Sequence, residues 1–295
     1  MSSKNWLRFL AAGLIWSTSF LWIKIALQEV GPFMLVAFRA SFGTLGMLTI
    51  ILFSNRKMLN WQKVKPWLGL FFLIGILNVV FPFVLISWGE QFIPSGIASV
   101  LNSTTPLFTI LMVTFFLRED RLTIGKAAGL ALGFSGVVIL FIPELRNSHV
   151  DNMLGLLSVV AASACYALSG ILIKKKVHGL ESELQVLLQY TFAAIVVWLL
   201  TPIFERPVML PQLSLTWIAL VWLGILGSSV ASYFYFRLLH SAGPTSASTV
   251  TYVPPLVGLL LGAVILSEPL GWQSLAGGIL IVGGIMLVNQ RRASN

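Results

Sequence analysis

Ten apolar runs, at roughly 7–27, 34–53, 66–88, 94–117, 124–142, 153–173, 184–204, 216–239, 245–266 and 273–290, follow one another through this 295-residue chain. Each is near the roughly 20 residues that a helix needs to cross a hydrocarbon core. The breaks between them carry turn or charge signals, among them Gly31-Pro32, Ile93-Pro94, Lys174-Lys175-Lys176, Gly243-Pro244 and Glu268-Pro269. No connection is long enough to hold a separate soluble domain. The composition agrees: 57% of residues are hydrophobic and 10% charged, with mean hydropathy +0.91, whereas soluble domains carry charge on about a quarter of their residues. Barrel strands would alternate apolar and polar residues, and these runs do not. The pattern predicts an all-α integral membrane protein with ten transmembrane helices.

A net charge of +9 is spread through short loops, which is a topogenic signature and argues against nucleic acid. Of the 19 Lys and Arg residues, fifteen fall on one side of the predicted topology, and only Lys24, Arg39, Arg146 and Arg206 on the other. Both termini are therefore expected in the cytoplasm of a bacterial inner membrane. Lys4 and Arg8 precede an apolar run too long for a signal peptide, so a retained first helix is expected. The single Cys165 permits no internal disulfide, and nothing resembles metal-ligand spacing. No cofactor and no metal are expected.

Internal duplication narrows the topology. PSGIASVLNSTTPLFTILMVTFFLRED from Pro94 and PTSASTVTYVPPLVGLLLGAVILSEP from Pro244 share one plan: proline and small residues, an inner proline (Pro106, Pro255), an apolar run and a closing glutamate (Glu119, Glu268). Trp16 and Ser19 answer Tyr166 and Ser169, Gly75 answers Gly224, and Gly129 and Gly136 answer Gly277 and Gly284. Two units follow, 1–146 and 147–295. Five spans per unit is an odd number, so the second enters the bilayer the other way up. Inverted repeats of this kind suit alternating access.

Together with GLIWSTSF at Gly13 to Phe20 and FRASFG at Phe38 to Gly43, these motifs resemble the drug/metabolite transporter superfamily in its ten-helix EamA-type branch. The resemblance implies a central cavity lined mainly by spans one, three, four, six, eight and nine. Spans five and ten are Gly-rich and poor in polar side chains, which suits close packing at the periphery.

Polar residues at membrane depth are functional candidates. Asn78 and Asn102 need a partner, either a solute or a neighbouring helix, because an unpaired amide in hydrocarbon costs several kcal/mol. Trp16, Tyr166, Tyr233 and Tyr252 form an aromatic set at mid-span, with Ser19 and Ser169 supplying hydroxyls; aromatics can stack on flat solutes or cage cationic ones. Lys24 and Arg39 sit inside spans on the cation-poor side. They either snorkel to the surface or form an electropositive vestibule for a carboxylate or phosphate, paired with Glu90 or Glu29 when empty. Glu119 and Glu268 are expected to accept hydrogen bonds from the start of the following span. Pro106 and Pro255, at matching positions, are expected hinges.

No Asp, Glu or His falls in the middle third of any predicted span. A facilitator or exchanger is therefore expected, or coupling through groups nearer the surface. An intramembrane enzyme would need a catalytic cluster that is not present at membrane depth, so no catalytic residue is expected. The expectation is a secondary transporter of a small organic metabolite, amino-acid-like or drug-like, working as an exporter or facilitator. A lipid flippase is the alternative. The expected partners are a small-molecule solute and the lipid bilayer, in a monomer or homodimer.

Overall fold

A computed structural model describes residues 2–54, 60–114, 123–147, 149–207 and 210–289. Among the described residues every regular element is helical. Eight helices are long and apolar enough to cross a membrane: α1 (Ser3–Ala26), α2 (Pro32–Ser54), α3 (Gln62–Gly89), α5 (Ile124–Leu145), α6 (Val150–Lys176), α7 (Ser182–Phe204), α8 (Ser214–Ala242) and α10 (Trp272–Asn289). Two more complete the ten. α4 consists of two pieces, Ser95–Asn102 and Thr105–Met112, and α9 is the shorter Thr249–Ile265. Glu119 lies outside the described residues with Arg118, Asp120 and Arg121, as do Arg56, Lys57, Arg291 and Arg292.

Prolines account for three of the irregular turns. A proline ring collides with the carbonyl four residues earlier and offers no N–H. Pro106 follows the Ser103–Thr104 interruption of α4. Pro254 and Pro255 follow the 3-10 turn Thr249–Tyr252 of α9. Pro82 follows a π segment, Ile76–Val80, in α3. α8 carries a second π segment, Trp222–Val230, with no proline behind it. One expected break differs: the helical backbone of Ala231–Ser248 runs through Gly243-Pro244.

Three helix pairs have antiparallel registers. In α5 and α10, a Cβ on Gly284 would lie 2.6 Å from the Gly129 carbonyl, and one on Gly136 would lie 2.7 Å from the Gly277 carbonyl. In α2 and α7, Phe33 stacks on Phe204 at 4.6 Å and Phe38 meets Trp198 edge-on at 5.2 Å. In α4 and α9, Gly96 approaches Leu259 and Ser95 approaches Gly262. α5 and α10 pack chiefly on one another.

At the end of the bundle holding the α1–α2, α3–α4, α7–α8 and α9–α10 turns, carboxylates bind helix starts across the two halves of the chain. Glu205 accepts the Phe33 and Met34 N–H groups of α2 at 2.7 and 3.0 Å. Glu268 accepts those of Ser95 and Gly96 in α4 at 2.7 and 3.1 Å. Glu29 accepts the Gln212 and Leu213 N–H groups just before α8. Each anion sits against the partial positive charge of a helix start. Glu268 thus corrects an expectation. It caps α4, not the following helix α10, because the antiparallel α4–α9 contact brings the α4 start beside it. At the opposite end the halves meet through the Lys63–Glu181 ion pair and an Arg8–Asn5–Ser241 cluster.

Candidate functional site

Arg39 lies in α2, two turns after the helix start, and is 6% exposed. Its position depends on how closely α2 and α8 approach. A Cβ on Gly46 would lie 2.7 Å from Ser229 Oγ, and one on Gly224 would lie 2.9 Å from the Arg39 carbonyl. Two serines of the α8 π segment bond to backbone carbonyls, one within the segment and one on α2. Ser228 Oγ donates to the Leu223 carbonyl at 3.0 Å, and Ser229 Oγ donates across to the Gly43 carbonyl at 2.7 Å. Arg39 Nε then reaches Ser228 Oγ at 3.3 Å, and its guanidinium carbon stands 3.8 Å from the centre of the Phe83 ring on α3.

The electrostatic neighbours of that guanidinium are Tyr190, Tyr166 and Glu90. Among the described residues no carboxylate lies within ion-pair distance of it. Burying a cation costs several kcal/mol. A desolvated cation–π contact returns about 2 kcal/mol and a hydrogen bond to a charged group about 1.5–3 kcal/mol. Arg39 therefore does not snorkel to the surface, because its side chain turns into the bundle.

Lys24 is directed elsewhere. Its Nζ donates to the Glu90 carbonyl and, at 3.0 Å, to that of Ile93, beyond the C-terminal end of α3. A cation is favourable at such a helix end. Lys24 is thus spent on backbone and does not join Arg39 in one vestibule.

The remaining candidates fall into two groups. Trp16 Nε1 donates to the Gly227 carbonyl at 3.0 Å, and a Cβ on Gly227 would lie 3.3 Å from Ser19 Oγ and 4.0 Å from the Arg39 guanidinium. Tyr166 meets Phe83 at 6.5 Å. Trp16, Ser19, Arg39 and Tyr166 thus converge around Phe83, Tyr190 and the α8 π segment. Asn78 forms an interhelical chain: its Nδ2 donates to Gln189 Oε1 at 2.6 Å, and Ser169 Oγ lies 2.6 Å from its Oδ1. Asn102 ends the first piece of α4, where its Oδ1 is buried without a partner. Tyr233 and Tyr252 are bonded elsewhere: the Tyr233 hydroxyl accepts from Arg237 at 3.1 Å, and that of Tyr252 from Asn289 of α10 at 2.9 Å.

Sequence reading did not select Phe83, Tyr190, Gln189 or Ser228. Gln189 carried a usable signal, a lone amide inside a span that needed a partner as Asn78 did. Phe83 had none, since one phenylalanine among 20 marks nothing until the fold is known.

A sequence profile of the EamA-like transporter family matches residues 6–142 and again residues 153–290. The chain belongs to that family. It is 29% identical to an uncharacterized transporter of Archaeoglobus fulgidus, over 98% of this chain and 100% of that one. It is 26% identical to the Escherichia coli protein named uncharacterized inner membrane transporter YedA, over 93% and 87% of the two chains. A solved crystal structure superposes with TM-score 0.69 over 97% of each chain at 23% identity, which establishes the shared fold.

Proposed function

We propose that this EamA-like protein is a secondary transporter of a small, amino-acid-like metabolite, and that the solute carboxylate binds Arg39. The observation that carries the reading is a guanidinium buried to 6% exposure that, among the described residues, is held by the Ser228 hydroxyl and the Phe83 face with no carboxylate at ion-pair distance. A planar fork of N–H donors matches a carboxylate. α6 links this position to a second polar group. Tyr166 faces Arg39, and one turn earlier Ser163 Oγ reaches the Asn102 carbonyl at 3.3 Å. The free Asn102 Oδ1 suits a solute N–H.

Alternating access between two inverted five-helix repeats, 1–146 and 147–295, is the mechanism we infer. The twofold match of the family profile and the antiparallel contacts of α2 with α7, α4 with α9 and α5 with α10 support it. With both termini in the cytoplasm of a bacterial inner membrane, as the distribution of Lys and Arg favours, the carboxylate-clasped end faces outward and is closed. Pro106 and Pro255, next to the interruptions of α4 and α9, are the hinges in this scheme. Export is the direction we favour.

The test is thermal unfolding of the purified protein with a series of carboxylates and their uncharged amides. A ligand at about 100 times its Kd stabilises by roughly 2.7 kcal/mol. Carboxylates should stabilise the native chain, their amides should not, and Arg39→Gln should abolish the difference. Equal stabilisation by acid and amide would overturn the reading.

A further inference from the structure

Glu90 directly follows α3 and is 0% exposed, yet neither carboxylate oxygen has a hydrogen-bond partner. Ser87 Oγ, in the turn before it, is also buried without a partner. Three charged groups face Glu90 from the elements packed around it: Lys24 from α1, Arg39 from α2 and Glu268 from the α9–α10 turn. None of them forms a pair with it. Lys24 is held by the Glu90 and Ile93 carbonyls, Arg39 by Ser228 and Phe83, and Glu268 by the start of α4. By contrast, Glu29, Glu205 and Glu268 at this end each accept hydrogen bonds from a helix start, and Glu144 accepts from the Asn152 amide at 2.9 Å.

A carboxylate stripped of both water and partners neutralises by binding a proton. Burial pushes the Glu90 carboxyl well above the usual carboxylate range, Lys24 draws it back, Glu268 adds to the rise and Arg39 opposes it. The sign of the linkage follows. The neutral acid belongs to the closed clasped end, so that closure is favoured below the raised pKa and lost as pH rises through it. Opening that end would admit water and let the ionised Glu90 pair with Lys24.

We propose that Glu90 is a proton-binding site of this transporter, neutral while the clasped end is closed and releasing its proton as that end opens. Proton movement is thereby tied to the conformational cycle by a group at the gate, with no acid at mid-span. The coupling rests on the transporter reading above; the protonation of Glu90 does not, nor does either depend on a solute bound at Arg39.

The experiment has two arms, both free of solute. Infrared spectra of the lipid-reconstituted protein near neutral pH should contain a carboxylic-acid C=O band that disappears on alkalinisation. The band should be absent in Glu90→Gln and retained in Glu90→Asp and Glu268→Gln. A cysteine replacing the buried Ile93 (2% exposed), in a Cys165→Ser background, is then labelled with a membrane-impermeant maleimide across a pH series. Labelling relative to the same protein carrying Glu90→Gln should rise with pH by up to about tenfold per unit above the Glu90 pKa. A band that survives in Glu90→Gln, or the absence of any such band in the native protein, would overturn the proton site. A labelling ratio constant with pH would overturn its link to opening. Loss of acid-selective binding in the Arg39 test would leave both results standing.

Discussion

Glu268 at the end of α9 caps α4: its carboxylate accepts the Ser95 N–H at 2.7 Å, the Ser95 hydroxyl at 3.0 Å and the Gly96 N–H at 3.1 Å. One side chain from the second half of the chain thus fixes the start of a helix in the first half. Glu205 does the same for α2, and Glu29 joins the halves in the reverse sense at the start of α8.

Removing such a cap leaves helix-start N–H groups without an acceptor. Glu268→Ala should cost about 1–2 kcal/mol, and Glu205→Ala a similar amount. The two sites share no hydrogen-bond partner, so the double variant should lose about the sum. Thermal unfolding in detergent measures this, and a double variant no worse than either single one would show that the clasps do not act separately.

The Glu29 clasp also makes stability depend on pH. Hydrogen bonding from the Thr216 side chain holds the Glu29 carboxyl below its usual value, against an opposing effect of burial and with help from the Gln212 and Leu213 N–H groups. A carboxyl with a lowered native pKa contributes stability that is present above its unfolded pKa and lost as pH falls through the native one. Native and Glu29→Gln proteins should therefore differ in melting temperature at neutral pH and converge on acidification below about pH 4. A constant difference down to pH 3 would contradict the assignment.

Adjacent glycines in α10 should respond oppositely. A Cβ on Gly284 would lie 2.6 Å from the Gly129 carbonyl and from the Gly133 nitrogen, whereas one on Gly283 would meet only Leu132, at 3.6 Å. Gly284→Ala forces two backbones apart and should cost about 1–3 kcal/mol. Gly283→Ala should be neutral or slightly stabilising, since alanine favours a helix over glycine by about 1 kcal/mol. Unfolding of the two variants side by side decides it.

Asn78 and Gln189 should couple. Asn78→Leu leaves Gln189 Oε1 without its donor and Gln189→Leu leaves Asn78 Nδ2 without its acceptor, at about 1–3 kcal/mol each, while the double variant removes both polar groups and should lose less than the sum. A double-mutant cycle with no coupling would mean that the 2.6 Å contact does not hold α3 to α7.

Much of this architecture is legible in the sequence because hydropathy and duplication are local signals. Each of the ten runs corresponds to a helix, although the backbone after α8 stays helical through the expected Gly243-Pro244 break, and the inner prolines lie beside the interruptions of α4 and α9. Two features are not legible, for physical reasons. Whether Arg39 snorkels or turns inward depends on the rotation of α2 against α8, which Gly46 and Gly224 set only once the helices meet. Which helix start Glu268 caps depends on tertiary proximity, so adjacency in sequence pointed to α10 while the fold placed α4 beside it. The α8 π segment, which carries Ser228, has no proline to announce it.

Solute uptake by proteoliposomes tests the central claim most directly, using the carboxylate that stabilises the purified protein best and its uncharged amide. The native protein should carry the acid in preference to the amide, and Arg39→Gln should lose most acid uptake while leaving any amide uptake unchanged. Equal uptake of acid and amide by the native protein, with no change on replacing Arg39, would contradict it.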